Sequence, residues 1–114
     1  MNGLAMPRPK RVGQPDVEAV TVRGLRFEAL RKTRAHGFDQ NGGVIVALDV
    51  ASGKEQWTLK VYTIEYIPKL ETDVQDIFIT ALAASADATK LLVTDERGRR
   101  FEVDIAARSV KPLP

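Results

Sequence analysis

The stretch from Gly43 to Trp57, Gly-Val-Ile-Val-Ala-Leu-Asp-Val-Ala-Ser-Gly-Lys-Glu-Gln-Trp, constrains the fold most. Two β-patterned runs meet at Ala51-Ser52-Gly53-Lys54, where small polar residues and a glycine free to take positive φ suit a tight reversal. In the first run Val44, Val46, Leu48 and Val50 share one face, and Ile45, Ala47 and Asp49 share the other. A strand apolar on both faces is covered on both, so this one is expected at the centre of a sheet.

The rest of the chain repeats the pattern. Val17 to Val22 and Leu25 to Leu30 flank Arg23-Gly24, the spacing of a hairpin; in the second run Leu25, Phe27 and Ala29 alternate with Arg26 and Glu28. After the Gly53 turn, Glu55, Trp57, Leu59 and Val61 alternate with Gln56, Thr58 and Lys60, until Tyr62, Ile64 and Tyr66 take over as the large apolar positions. Strand period is two, so that phase change predicts a bulge, a twist or a new environment near Val61-Tyr62. Asp76 to Ala83 reads as a strand because Ile77, Phe78 and Ile79 are β-branched and aromatic, although Ile77, Thr80, Ala81 and Ala84 also fit helical spacing. A turn at Ser85 to Thr89, a strand at Lys90 to Thr94, a turn at Glu96-Arg97-Gly98 and a last strand at Arg99 to Ile105 follow. Thr33 to Gly43 collects loop residues, and Ile67 to Gln75, opened by Pro68, is expected as a surface connection with at most a short helical turn.

Composition bounds the alternatives. With 114 residues, 44% hydrophobic and 28% charged, the chain can fill one ordinary core, so a single β-rich domain is expected over residues 16–111. Residues 1–15, with Pro7, Pro9, Pro15, Gly3 and Gly13, are expected as a flexible basic arm, and residues 112–114 as a tail. The absence of cysteine excludes disulfides, thiolate nucleophiles and cysteine-based metal sites. No signal-peptide core is visible at the start, and no run nears the roughly 20 apolar residues of a membrane helix, so a cytoplasmic protein with no membrane partner is expected. Charge is uneven: residues 1–37 hold eight Lys/Arg against three acids, whereas Glu65, Glu71, Asp73 and Asp76 face only Lys69 in residues 65–76.

Chemistry-bearing residues are few. His36 is the only histidine, which is too few for the usual zinc sites, and no serine or acid stands at a diagnostic spacing from it. Beside Asp39 or a strand carboxylate it would serve a small hydrolase or lyase. Gly42-Gly43 could let a backbone approach a ligand closely, but neither GxGxxG nor GxxxxGK[ST] occurs, so no phosphate cradle is expected. Trp57, Tyr62 and Tyr66 read either as a binding surface or as core aromatics with a polar handle. Glu71 and Asp73 lack the spacing of a calcium loop and are expected as solvated charge or as a surface for a basic partner. The Pro-Arg-Pro-Lys-Arg run of the arm offers three charges, enough only for weak, salt-sensitive binding of nucleic acid.

Ala47-Leu48-Asp49, followed by Ser52-Gly53 and then Trp57, resembles the Ala-x-Asp-x-x-Thr-Gly-x-x-x-Trp repeat of β-propeller blades in the pyrroloquinoline quinone dehydrogenase superfamily, with Ser52 in place of threonine. Ala81 to Val110 is similar in strand order to WD-type and related blades. The resemblance implies a hairpin in which the glycine turns, the aspartate bonds turn amides and the tryptophan packs over the turn. It implies no quinone site and no metal ligand here.

The expected fold is mostly β with little helix: a single antiparallel meander-like sheet of six or seven strands, curled or folded as a small sandwich or open barrel. The expected function is that of a noncatalytic small binding or protein-interaction protein, with no catalytic residue, metal or cofactor assigned. Its partner is expected to be a protein or a second copy paired through a sheet edge. His36, Trp57, Tyr62, Tyr66, Glu71 and Asp73 are the candidate contact residues. The alternatives are a small hydrolase or lyase using His36, and an oligomeric propeller-like sugar-binding protein.

Overall fold

Within each half of the chain, every strand pairs with the one that follows it. A computed structural model describes residues 14–114, and in these the strands are β1 Val20–Val22, β2 Leu25–Ala29, β3 Val44–Asp49, β4 Glu55–Lys60, β5 Ile79–Ala84, β6 Lys90–Asp95, β7 Arg100–Asp104 and β8 Ser109–Pro112. The basic arm expected over residues 1–15 lies outside the described residues apart from Gln14 and Pro15. A 3-10 turn at Thr33–His36 is the only helical element described, and no helix among the described residues is long and apolar enough to cross a membrane.

The chain is mostly β, as expected, but the single sheet of six or seven strands is corrected to two antiparallel sheets of four, ordered β1-β2-β3-β4 and β5-β6-β7-β8, with no closed barrel. The physical reason lies after Lys60. The phase change at Val61-Tyr62 marks the end of β4: Val61 N makes a last bond to Gly43 O, and from Tyr62 the chain becomes a connection held largely by the side chains of Gln40 and Gln75. β4 and β5 therefore never pair. The eighth strand, β8, contains Pro112 and little apolar pattern, which hid it from sequence reading. It is an edge strand, where a missing N–H costs nothing.

β3 is internal to its sheet, and Val44, Ile45, Val46 and Ala47 are all buried. Ile45 and Ala47 face a core shared with Phe27 of β2 and with Leu91, Val93, Phe101 and Val103 of the second sheet. Val44 and Val46 face the other way, where Leu30, Phe38 and Leu48 cover them. That second cluster explains why β3 is apolar on both faces. Although β5 follows β4 in the chain, it lies alongside β1 and β2. Residues 61–78 therefore travel back across the first sheet, roughly 14 Å for three strand spacings.

Four of the hairpin turns are organised by an aspartate that accepts backbone N–H groups, the competition with the ladder that makes aspartate a turn residue. Asp49 Oδ2 accepts from Ser52 N at 2.9 Å and from Ser52 Oγ at 2.8 Å, with Gly53 at φ +75°. Asp104 Oδ1 accepts from Ala107 N, and Asp95 Oδ1 from Arg97 N and Arg99 N, all at 2.9 Å. Asp87 Oδ1 accepts from Thr89 N, Thr89 Oγ1 and Ser85 Oγ at 3.1, 2.8 and 2.8 Å. The hydroxyls of Thr89 and Ser85, with that amide, hold the Asp87 carboxyl down at about 2, below its ordinary 3.8. A depressed carboxyl stabilises the fold above its unfolded value, and that stabilisation is lost as pH falls through the folded one. The difference in stability between the native protein and Asp87→Ala is thus expected to hold constant from neutral pH down to about 5 and to close between about 4 and 2. Urea titrations of both proteins across that range check this; a gap independent of pH would remove Asp87 ionisation from the turn.

Candidate interaction site

At one end of the two sheets the β2–β3 loop, the connection 61–78 and the β6–β7 turn come together. Gln40 joins the first two. Only 1% of it is exposed; its Nε2 donates to the carbonyls of Gly42 and Tyr62, and its Oε1 accepts from Ile64 N, each at 2.9 Å. Thr33, also buried, donates its hydroxyl to Gln40 O at 2.6 Å and accepts from Gly42 N at 2.8 Å. The closeness that Gly42-Gly43 allowed for a ligand is used internally. Phe78 and Ile77 crowd Gly42, while Tyr62 and Gln40 crowd Gly43.

Beside this lies a second network. Tyr66 donates its hydroxyl to Asp76 Oδ1 at 2.7 Å and accepts from Asn41 N at 3.1 Å, while Asn41 Nδ2 donates to Asp76 Oδ2 at 3.1 Å. The Arg34 guanidinium lies 5.3 Å from the centre of the Tyr66 ring. Tyr62 is buried, donates to Ile77 O at 2.6 Å and stacks on Phe101 at 5.2 Å. Burial, reinforced for Tyr62 by the Asp95 charge, pushes the phenols of Tyr62 and Tyr66 above their ordinary value, so both are neutral donors.

The connection is pinned where it leaves these tyrosines. Gln75 Oε1 accepts from Ile67 N at 2.6 Å, and its Nε2 donates to the carbonyls of Ile67 and Glu71, both at 3.2 Å. The loop so fixed presents Ile67, Leu70 and Val74 at 59%, 54% and 46% exposure, three of the four large apolar residues exposed among those described. Next to it a cleft of about 370 Å³ runs between Ile67 and Val74 of the connection and Arg97 and Arg99 of the β6–β7 turn.

The residues singled out from sequence fall in different places. Tyr62, Tyr66, Glu71 and Asp73 all belong to the connection, the tyrosines inside its scaffold and the two acids on its outer part, Glu71 exposed and Asp73 partly so. Trp57 stands apart: it meets Phe27 edge to face at 5.7 Å and carries the Arg108 guanidinium 5.0 Å above its ring, so the aromatic trio forms no common surface. His36 is exposed at the end of the 3-10 turn, with Nδ1 3.4 Å from Lys32 O. It borders a cleft of about 510 Å³ with Arg26, Glu28 and Arg31. Asp39, its nearest expected partner in sequence, is bound by Lys60 Nζ at 3.1 Å instead, and that ammonium lowers its carboxyl. Among the described residues no three acids or histidines cluster as a metal site would need.

Sequence reading passed over Gln40, Arg97, Arg99 and the exposed apolar residues of the connection. The last had a signal, since Ile67, Leu70 and Val74 interrupt an otherwise polar loop. No protein-family model and no curated protein matches the sequence.

Proposed function

We propose that this chain is a noncatalytic protein-interaction module and that the connection between its sheets is the contact surface. The observation that carries the reading is the trio Ile67, Leu70 and Val74, held outward on a loop whose backbone Gln75 pins. Burying the exposed half of each of these side chains against a partner releases roughly 1 kcal/mol apiece, and because the loop is already ordered little of that gain is spent on fixing it. Glu65, Glu71 and Asp73 border the trio and favour a partner surface that carries basic groups.

The test compares the native protein with Ile67→Ser/Leu70→Ser/Val74→Ser as baits. All three positions are exposed, so the triple variant is expected to keep the native melting temperature within a few degrees. A protein retained by the native bait at about tenfold or more over the variant supports the reading. Equal retention by both, or none by either, overturns it.

A second reading takes the two meanders as a pair of propeller-like blades. It is supported by the position of β5 beside β1 and β2, which puts the first strands of both sheets on one side and leaves the last, β4 and β8, as outer edges. In that reading copies associate through the outer face of the second sheet, where Ala81, Ala83, Leu92 and Thr94 lie. Light scattering on the same native preparation decides it: a multiple of the 12.6 kDa chain mass supports it and a single copy removes it.

A further inference from the structure

The β6–β7 turn carries Arg97 and Arg99, and Arg100 opens β7. Asp95, 2% exposed, builds the turn by accepting both Arg97 N and Arg99 N on Oδ1. Its Oδ2 takes Arg99 Nε at 2.7 Å, and the guanidinium then lies 5.2 Å from the Tyr62 ring centre and 5.6 Å from that of Phe101. One salt bridge and two ring faces thus fix the Arg99 side chain in advance. Asp95 engages Nε only. Neither Nη of Arg99 makes a hydrogen bond to a described residue, and the side chains of Arg97 and Arg100 make no hydrogen bond or ion pair with one.

A guanidinium ordered through Nε, with its remaining donors unpaired among the described residues, suits a carboxylate, which accepts two parallel N–H groups. Arg97 and Arg99 both line the 370 Å³ cleft, whose apolar wall is formed by Ile64, Ile67, Val74 and Ile77. Glu65 lines it as well and Asp95 pairs with Arg99, so the two lining arginines are matched by two carboxylates and the cleft holds no excess positive charge. That balance disfavours a polyanion, and recognition falls to the directional Nη donors of Arg99 and the guanidinium of Arg97. We propose that this cleft binds a peptide carboxylate on Arg99 and Arg97, with the neighbouring apolar side chain of the peptide packed on Ile67 and Val74. The proposal rests on the reading of the connection as a contact surface, because Ile67 and Val74 form part of the wall. The carboxylate can come from a chain terminus or from an Asp or Glu side chain.

Three short peptides titrated into nitrogen-15-labelled protein separate these sources: acetyl-Gly-Leu-Leu as the free acid, the same sequence as the amide, and acetyl-Gly-Glu-Leu as the amide. The readout is the Arg99 Nε–H resonance together with the amides of residues 97–101. The free acid, the glutamyl peptide or both are expected to shift these resonances saturably, at least about tenfold tighter than the leucyl amide, given the strength of bidentate charge-assisted bonds. Arg99→Lys keeps the charge and loses the planar donor pair, so it is expected to weaken binding by about tenfold. Arg97→Ala leaves the Asp95–Arg99 pair intact, so it carries the test if the lysine variant does not fold; it is expected to weaken binding several-fold. Equal shifts from the acid and both amides, no saturable shift, or native affinity in Arg97→Ala overturns the proposal. Loss of the protein partner in the Ile67/Leu70/Val74 variant alongside indifference to the carboxylate would sink this inference alone and leave the contact surface standing.

Discussion

Gln40→Ala is expected to lower the unfolding free energy by about 3–5 kcal/mol, because it strips partners from several buried backbone groups at once. The alanine removes the acceptor for Ile64 N and the donor to the carbonyls of Tyr62 and Gly42, all three residues being buried. A buried polar group left unpaired costs about 1–3 kcal/mol, and the members of a connected network reinforce one another. Urea denaturation followed by circular dichroism, with the slope compared between proteins, measures the loss. A change below about 1 kcal/mol would mean that the loop and the connection are held by something other than this amide.

Gly42→Ala is expected to be of similar size, roughly 2–6 kcal/mol, from two costs that add. Gly42 sits at φ +105°, a backbone angle that a side chain strains, typically by 1–3 kcal/mol. Its Cβ would also stand 2.8 Å from Phe78 Cδ1 and 2.9 Å from Ile77 O, and overpacking of this kind costs about 1–3 kcal/mol more. The carbonyl cannot rotate aside as a side-chain end could. Gly53→Ala provides the comparison, since Gly53 is also at positive φ but has open space around it. Its loss is expected to be the smaller, and the difference between the two melting curves isolates the packing cost. Equal losses would leave φ as the whole effect.

These two positions also show where the sequence was and was not legible. Alternation in β2, β4, β6 and β7 reports a local property, the pleat, and it located those strands within a few residues. The double apolar face of Val44 to Val50 reported β3 as a central strand for the same reason. Sheet membership is not local. Tyr62, Ile64 and Tyr66 keep a strand-like spacing, and nothing in that spacing says that the carbonyl of Tyr62 and the N–H of Ile64 bond to the Gln40 side chain rather than to a neighbouring strand. One sheet was therefore expected where there are two. β8 carries Lys111 and Pro112 on an open edge, where neither alternation nor N–H donation is required. For the candidate site, Tyr62, Tyr66, Glu71 and Asp73 were singled out within the connection, whereas the exposed trio and the ordered Arg99 were not. The value of Arg99 comes from Asp95, Tyr62 and Phe101, partners that only the folded chain assembles. Gly42-Gly43 did announce a close approach; what approaches is the protein's own Phe78 and Tyr62.

Both sheets are built wholly from strands that succeed each other along the chain. Every ladder therefore closes a short loop, and the closure entropy of such loops grows only by about 0.6 kcal/mol per doubling of length. The one closure that reaches further is the docking of the second sheet on the first, and residues 61–78 alone tether it. That tether is the same segment whose Ile67, Leu70 and Val74 remain outside the core. Its two tasks oppose each other: shortening it would ease assembly of the two halves, and the length that makes assembly harder is what leaves room for an outward-facing loop.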